Sequence, residues 1–569
     1  MEPPRGEALI LALLLILLPL LLLWPLPLDL SGTVLAAPDQ EAAPHIWGLW
    51  VALREHSPLL IRTKLLGWPD GVELVLVDAA NLPAFALGQA LGGPAGGYNL
   101  VLYSGLIIQG LAGSMLARRL GGSPLVGAVA AMAAPTLLSN AADGQTEGFA
   151  VGWVGLQLAL LLDAVRLGGA RRVALAALAL AASWYGGPYN GIFASGLDLV
   201  LGLGLLWRAR TGGALRRLLG VAGLAAALVA PLAVAILAMR DPTLPGSMAR
   251  AGLPKIVENP AIFRGGVQTG ADLLDPWLPG FLTGGEAEVS HTAYLGLVAL
   301  LLGALAVRAD RRRLPWLLGA LAFALLSLGP YLYLGGTALR LGGRPLLGPA
   351  GVLTLLLPPL GRLTRWYRAG AVASLLLAPL AATWAGRGWR KPLVAALLLA
   401  DSLLAAPLAW PLHHAPMIPA ALTAPLIGEG AIFELPRTTT GQPPPGAWRD
   451  RTALAQTVHG HPLAGTIMGL VGSPEAAAHQ QSVLRLAREG GWRLEDRRRL
   501  LAQGYRWIAL LPRELPLPAS SLENLNACLG SPIVRSPDYI VWTLDGAHAQ
   551  EDCPPPAKAD PAPPGHSAD

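Results

Sequence analysis

Apolar residues come in long blocks along this chain, divided by short polar stretches. A run from Ala8 to Leu28 is followed, after a mixed segment over 29–95, by runs at 96–117, 123–138, 148–165, 172–187, 190–207, 217–238, 291–307, 315–334, 368–385 and 392–410. Ala8 to Leu28 is long enough to cross about 30 Å of hydrocarbon, and the later runs read as further membrane helices. A shorter, proline-rich run at 346–360 predicts a re-entrant segment that returns to the side it came from. From Pro411 the blocks stop. Ala431-Ile432-Phe433-Glu434-Leu435-Pro436, Trp507-Ile508-Ala509-Leu510-Leu511 and Tyr539-Ile540-Val541-Trp542-Thr543-Leu544 read as buried or half-buried strands, and Gln480 to Leu501 has helical spacing. The pattern predicts an α-helical polytopic membrane domain over 1–410, with about 11 transmembrane helices, a first outer loop at 29–95, a small α/β domain at 411–546 and a disordered tail at 547–569.

Composition agrees with a membrane protein: 53% of residues are hydrophobic and 14% charged, against roughly a quarter charged in soluble domains. The net charge of +6 is carried by arginines between apolar runs, which is a topology signal and not a nucleic-acid footprint, so no nucleic-acid partner is expected. Arg5, Arg118-Arg119, Arg166 with Arg171-Arg172, Arg208 with Arg210 and Arg216-Arg217, Arg308 with Arg311-Arg312-Arg313, and Arg387 with Arg390-Lys391 fall on every second connection. By the positive-inside rule those turns and the N-terminus are cytoplasmic. The longer connections 29–95, 240–290 and 335–367 and the region from 411 then share the outer face. Ala8–Leu28 reads as an uncleaved anchor; the alternative is a signal peptide cut near Val34-Leu35-Ala36-Ala37. Cys528 and Cys553 can pair if their region lies outside the cytoplasm.

Three polar groups on that outer face are candidates for chemistry. The first loop carries Asp39, Glu41, His45, His56, Asp70, Glu73, Asp78 and Asn81. A carboxylate at a low-dielectric surface can act as a general base, and Asp39 and Glu41, two apart, point the same way in an extended segment. The alternative is that Asp39 caps a helix over His45–Arg54 or that these charges are solvated. The second group is Asn140-Ala141-Ala142-Asp143-Gly144-Gln145-Thr146-Glu147 between two apolar spans. Capping explains Asp143; Glu147, at the membrane boundary, needs a partner. The third is Arg340, Arg344, Arg362, Arg365 and Arg368, the last three flanking Trp366-Tyr367. Guanidinium forks bind phosphate bidentately, and interfacial snorkelling is the alternative for each. Asp272, Asp275, Glu286 and Glu288 add acids in the 240–290 loop, with His291 directly after it, and Trp184-Tyr185-Gly186-Gly187-Pro188-Tyr189-Asn190 forms an aromatic turn suited to stacking on a sugar. No nucleotide-phosphate loop, metalloprotease His-Glu pair, Ser-His-Asp elbow or zinc-spaced cysteine set is present.

An ordered series of segments carries a resemblance. An N-terminal anchor, Asp39 in the first outer loop, Trp47-Gly48-Leu49-Trp50, Trp68-Pro69-Asp70-Gly71-Val72, Tyr98-Asn99-Leu100, Ala117-Arg118-Arg119-Leu120, Gly144-Gln145-Thr146-Glu147, Tyr294-Leu295-Gly296-Leu297, Leu328-Gly329-Pro330-Tyr331 and Arg365-Trp366-Tyr367-Arg368 come in that order along the chain. Together they resemble the bacterial polytopic glycosyltransferases of the GT-C superfamily. The resemblance covers most of 1–410 and, more faintly, the outer domain through Glu434-Leu435-Pro436. It implies an inverting enzyme of the inner membrane that passes a sugar from a polyprenyl-phosphate donor to a lipid, glycan or protein acceptor. By it, Asp39 is the general base; Glu147 and Glu41 orient it or, with Asp39, hold a divalent ion, Mg or Mn. Arg365 and Arg368 bind the donor phosphate, with His45, Asp143, Gln145 and Tyr367 also lining the substrate site. Pro38 stands where these proteins usually have glycine, and no paired acid motif marks the second outer loop.

Two other readings compete. A transporter or lipid flippase would carry charges deep in its spans and internal repeats; Asp163, Asp198 and Asp401 lie within or near spans, but the first half is not repeated in the second. A non-catalytic envelope assembly protein would use its acids as caps and its outer domain to bind a partner.

Overall fold

The computed structural model describes residues 5–35, 42–76, 78–209, 212–238, 270–279, 282, 293–358, 360, 363, 365–385, 388–405, 410–417, 426, 428–435, 451–464, 491–512, 515–537 and 539–545. The chain divides into two compact units. One comprises Met1–Leu53, Leu76–Ile236 and Leu253–Ala415, the other Arg54–Val75, Leu237–Gly252 and Pro416–Asp569.

The first unit is helical. Its elements are α1 (Arg5–Leu22), α2 (Ala42–Arg54, whose last residue begins the second unit), α3 (Leu82–Arg119), α4 (Pro124–Met132), α5 (Pro135–Ala142), α6 (Thr146–Phe149), α7 (Val151–Leu167), α8 (Ala170–Tyr185), α9 (Pro188–Ala209) and α10 (Gly212–Ala238, whose last two residues fall in the second unit). After these come α11 (Leu297–Ala309), α12 (Leu314–Ser327), α13 (Pro349–Leu356), α14 (Ala369–Trp384) and α15 (Arg390–Ala400). Among the described residues four helical segments are long and apolar enough to cross a membrane: Ala79–Arg119, Pro124–Ala142, Thr146–Leu167 and Gly212–Ala238. Gly6–Leu22 and Leu297–Ala309 are apolar but shorter. The proline-rich run centres on α13, whose 8 residues reach about 12 Å at 1.5 Å per residue, too short to cross.

α14 is the heart of this unit. It is apolar on every side and buried from Ala369 to Ala382, the mark of a core helix, and it packs on α4, α11 and α12. Because Ala and Gly dominate its sequence, its neighbours approach closely. α3 begins well before the apolar run at 96 and is broken at Gly92 and Gly93, the latter at φ +67°. A Cβ on Gly88 would lie 2.3 Å from the Gly96 carbonyl oxygen. Residues eight apart in a straight helix are separated by about 12 Å of rise, so contact between Gly88 and Gly96 means that the chain reverses at the break.

The acids that lie within or near the apolar runs have structural partners. Asp163 accepts from Arg119 Nε at 2.9 Å. Asp198 accepts from Gln157 Nε2 at 2.5 and 2.6 Å. Asp401 accepts from the Tyr294 hydroxyl at 2.7 Å and from the Val298 backbone N–H at 2.8 Å, a carboxylate satisfying the open end of α11.

The second unit is built on a four-stranded sheet. Its elements are β1 (Leu60–Thr63), β2 (Val72–Val75), β3 (Ala431–Leu435), α16 (Arg451–His459), α17 (Leu494–Ala502), β4 (Tyr505–Leu510), α18 (Ala519–Leu529), β5 (Val534–Arg535) and β6 (Ile540–Thr543). The sheet runs β5-β6-β4-β3. β4 lies parallel to β3, with Ile508 beside Phe433, and antiparallel to β6, with Ile508 beside Trp542. Phe433, Trp492, Leu500, Ile508, Leu525, Cys528 and Trp542 form its core; Cys553 lies outside the described residues. β1 and β2 form a separate hairpin, tied to this unit where Trp68 Nε1 donates to the Gln503 carbonyl at 2.8 Å and the Tyr505 hydroxyl donates to the Trp68 carbonyl at 2.7 Å.

Candidate functional site

The polar turn between α5 and α6 is buried throughout: Asn140, Asp143, Gln145, Thr146 and Glu147 are all withdrawn from solvent. Such a segment folds only if each polar group finds a partner. The turn pivots on Gly144 at φ +79°, where a Cβ would stand 2.6 Å from the Ala42 backbone nitrogen. The first residue of α2 therefore sits directly on the turn. Gln145, not Asp143, occupies the N-cap position of α6 and makes no side-chain cap; Asp143 closes the C-terminal end of α5.

Two networks meet there. In the first, Arg368 Nη1 forms an ion pair with Glu147 Oε1, and Arg368 Nη2 donates to Gln145 Oε1 at 2.7 Å. Gln145 Nε2 in turn donates to the Asp143 carboxylate and to the Tyr367 hydroxyl, the latter at 3.1 Å. Arg368 also stacks over the Tyr189 ring, 4.8 Å from its centroid. The Tyr189 hydroxyl accepts from the Arg365 backbone N–H at 3.1 Å, and Asn190 Nδ2 donates to the Glu147 carbonyl at 2.9 Å. In the second network the Thr146 hydroxyl donates to Asp78 Oδ2 and lies 2.9 Å from His45 Nδ1. Since the hydroxyl has one proton and Asp78 takes it, His45 Nδ1 carries a hydrogen and donates to Thr146.

Electrostatics explains why Glu147 stands where it does. Arg368 occupies the N-cap position of α14, where its charge adds to the partial positive charge of the helix end. Glu147 supplies the counter-charge in a place where an unpaired guanidinium would be costly. Burial pushes the Tyr367 hydroxyl above its ordinary pKa, opposed by the nearby Arg368 and Arg365 charges, so it stays protonated at neutral pH. Asn140, Glu147, Tyr189, Asn190 and Arg368 line a cavity of about 10 Å³, room for about one water molecule.

No protein-family model matches the sequence, and no curated protein matches it. Solved structures do. The cryo-EM structure of the arabinofuranosyltransferase AftD from Mycobacteria aligns over 96% of this chain and 40% of its own, at 18% identity and a TM-score of 0.54. The chain has the GT-C fold. It spans about two fifths of the length of AftD. A second structure of AftD, carrying a point substitution, aligns over 96% of this chain and 42% of its own, at 18% identity and a TM-score of 0.50. ArnT from Cupriavidus metallidurans aligns over 95% and 98% of the two chains at 15% identity, and its TM-score of 0.43 carries no argument.

On this GT-C scaffold, Glu147, Gln145, Asp143, Arg368 and Tyr367 come together in one network, and His45 joins Asp78 and Thr146 beside it. Arg365 is half-buried and linked to the same cluster through its backbone. Asp39 and Glu41, with Arg362, Glu286, Glu288 and His291, lie outside the described residues. Arg340 and Arg344 sit on an exposed antiparallel hairpin and do not line the cavity. His56, Asp70 and Glu73 belong to the second unit. Asp272 and Asp275 hold their own loop: Asp272 Oδ2 accepts from the Gly336 N–H at 3.1 Å, and Asp275 Oδ2 from the Asp272 N–H at 3.0 Å. Trp184 and Tyr185 bond to Ser195 and to the Leu228 carbonyl, while Gly187, Tyr189 and Asn190 of that turn line the cavity. Thr146 and Asn140 carried no role of their own beyond membership of the polar patch 140–147, and the contacts of Tyr189 with Arg365 and Arg368 had no signal beyond its place in the aromatic turn. A divalent cation would rest on Asp39, Glu41 and Glu147. Glu147 is engaged by Arg368, and among the described residues no group of three or more His, Cys, Asp or Glu could hold a metal.

Proposed function

We propose that the chain is an inverting membrane glycosyltransferase that moves a sugar from a polyprenyl-phosphate donor to a lipid, glycan or protein acceptor on the outer face of a bacterial inner membrane. The observation that carries this reading is the buried Glu147–Arg368 pair at the head of α14, in a chain with the GT-C fold. A guanidinium fixed at a helix N-terminus is suited to an anionic phosphate. Arg368 and Arg365 neutralise the departing polyprenyl phosphate. Asp39, three positions before Ala42 in sequence, takes the proton of the acceptor hydroxyl as its oxygen bonds to the anomeric carbon and the carbon–phosphate oxygen bond breaks. Glu147 and Gln145 hold Arg368 in position until the donor shares it. His45 and Asp143 fix the neighbouring turn, and Tyr367 faces the head group. In this reading about 11 helices cross the membrane, 346–360 re-enters it, and the N-terminus lies in the cytoplasm. The 411–546 domain is extracytoplasmic, where Cys528 and Cys553 can pair.

The test is transfer from a mixture of polyprenyl-phosphate sugars by the purified full chain, with donor binding measured in parallel. The mixture includes an arabinofuranosyl donor, because AftD is named for that sugar. Turnover by wild type and its loss in Asp39→Asn, with donor binding kept, is the expected result. Binding or consumption of none of these lipids by wild type overturns the enzyme reading. Full turnover by Asp39→Asn overturns the choice of base, and binding without turnover points to a non-catalytic envelope role. A transporter reading draws no support from Asp163, Asp198 and Asp401, each of which has a structural partner.

A further inference from the structure

The first unit contains a second, larger cavity of about 460 Å³, between the end of α1 and the reversal in α3. Leu20, Leu23, Leu26, Leu28, Leu91 and Leu100 supply apolar walls. Asp29, Ser31 and Asn99 supply its polar end.

Asn99 is 1% exposed. Its Nδ2 donates to the Leu30 and Thr33 carbonyls at 2.9 and 2.7 Å. Two carbonyl acceptors settle which end of the amide is NH2, so the remaining atom is an acceptor. That Oδ1 has no partner among the described residues. Asp29 accepts from the Gly32 N–H at 2.9 Å and the Ser31 hydroxyl at 3.5 Å, and no cation pairs with it among the described residues. The cavity thus offers alkyl walls and one carboxylate, and its lining contains no Lys, Arg or His. An occupant that satisfies it has an alkyl chain and a cationic, proton-donating head. A lipid phosphate without an amine would meet the Asp29 charge unfavourably.

We infer that this cavity binds an aminophospholipid, one acyl chain between α1 and α3 and the ammonium against the Asp29 carboxylate. The site is separate in composition from the Glu147–Arg368 pair, which suits an anion, and the inference stands whether or not the chain transfers a sugar.

The test uses the full chain in nanodiscs of equimolar phosphatidylethanolamine and phosphatidylglycerol with identical acyl chains, and counts lipids retained on release by native mass spectrometry. Wild type is expected to retain one phosphatidylethanolamine with a preference of about tenfold, the scale of one charge-assisted hydrogen bond. Asp29→Asn, which keeps an acceptor for Gly32, is expected to lose the preference and leave sugar transfer unchanged. Leu91→Trp, at the exposed mouth, is expected to lose the retained lipid; circular dichroism and size exclusion confirm that both variants are folded. Equal retention of the two lipids, preference for the anionic one, displacement of the retained lipid by polyprenyl phosphate, or an unchanged preference in Asp29→Asn would each overturn the inference.

Discussion

Replacing Arg368 by Met isolates the pair at the centre of the candidate site. The substitution keeps most of the side-chain bulk and removes the charge. Glu147 and Arg368 have side chains only 11% and 7% exposed, so the variant leaves a carboxylate in a low-dielectric place without its cation. It also deprives Gln145 Oε1 of its donor. Removing one partner of a buried ion pair costs about 3–5 kcal/mol, a large share of a marginal total stability. Neutralising Glu147 as well, by Glu147→Gln, removes the stranded charge, so the double variant is expected to be more stable than Arg368→Met alone. The coupling energy from the four-member cycle is expected at about 1–3 kcal/mol. Reversible unfolding of the full chain in mixed micelles with a denaturing detergent measures all four members under one condition. Additivity to within about 0.5 kcal/mol would refute the claim that the two groups stabilise one another.

Tyr189 serves both arginines, stacking under Arg368 and accepting from the Arg365 backbone. Tyr189→Phe keeps the ring and is expected to weaken donor binding by about fivefold; Tyr189→Leu, which also loses a stacking contact of about 1–2 kcal/mol, is expected to weaken it further in a titration with polyprenyl phosphate. Burial raises Asp275 from 3.8 to about 6, the nearby Asp272 carboxylate adding to the shift and the Asp272 N–H opposing it. The folded chain therefore holds a proton between these values that the unfolded chain has lost, so stability is greatest below the unfolded value and falls as pH rises toward 6. Unfolding midpoints across that window should fall for wild type and stay flatter for Asp275→Asn. Gly144→Ala combines φ +79° with a Cβ placed 2.6 Å from Ala42 N; a loss of roughly 2 kcal/mol or more in the same unfolding assay is expected, against a shift near zero if α2 does not rest on the turn.

The long helices were legible because a membrane span needs an uninterrupted apolar run, and such runs are visible in one dimension. What joins them was not. Gln145 and Tyr367 bond across 222 positions, and no local pattern distinguishes Arg368 from Arg340, since both are arginines in a stretch that reads from sequence as an outer connection. The two differ in the element that each one opens. Arg340 leads into a two-residue strand on an exposed hairpin, whereas Arg368 leads into Ala369-Gly370-Ala371-Val372, the start of a helix buried on every side. A charge at the mouth of such a helix cannot snorkel to water along its own element, so it requires a counter-charge from another. Glu147 presented the complementary requirement: an acid at a membrane boundary with no local cation. Burial also explains why the stretch 29–95, which reads as one outer loop in sequence, divides between the two units. Trp68 finds its hydrogen bonds on the β4 strand and the turn before it, which draws the stretch with Asp70 and Glu73 into the second unit while His45 and Asp78 stay in the first. Two lone groups that each need an opposite charge, one on each side of a long stretch of apolar sequence, amount to a long-range contact stated as a demand. The fold meets that demand at the head of α14.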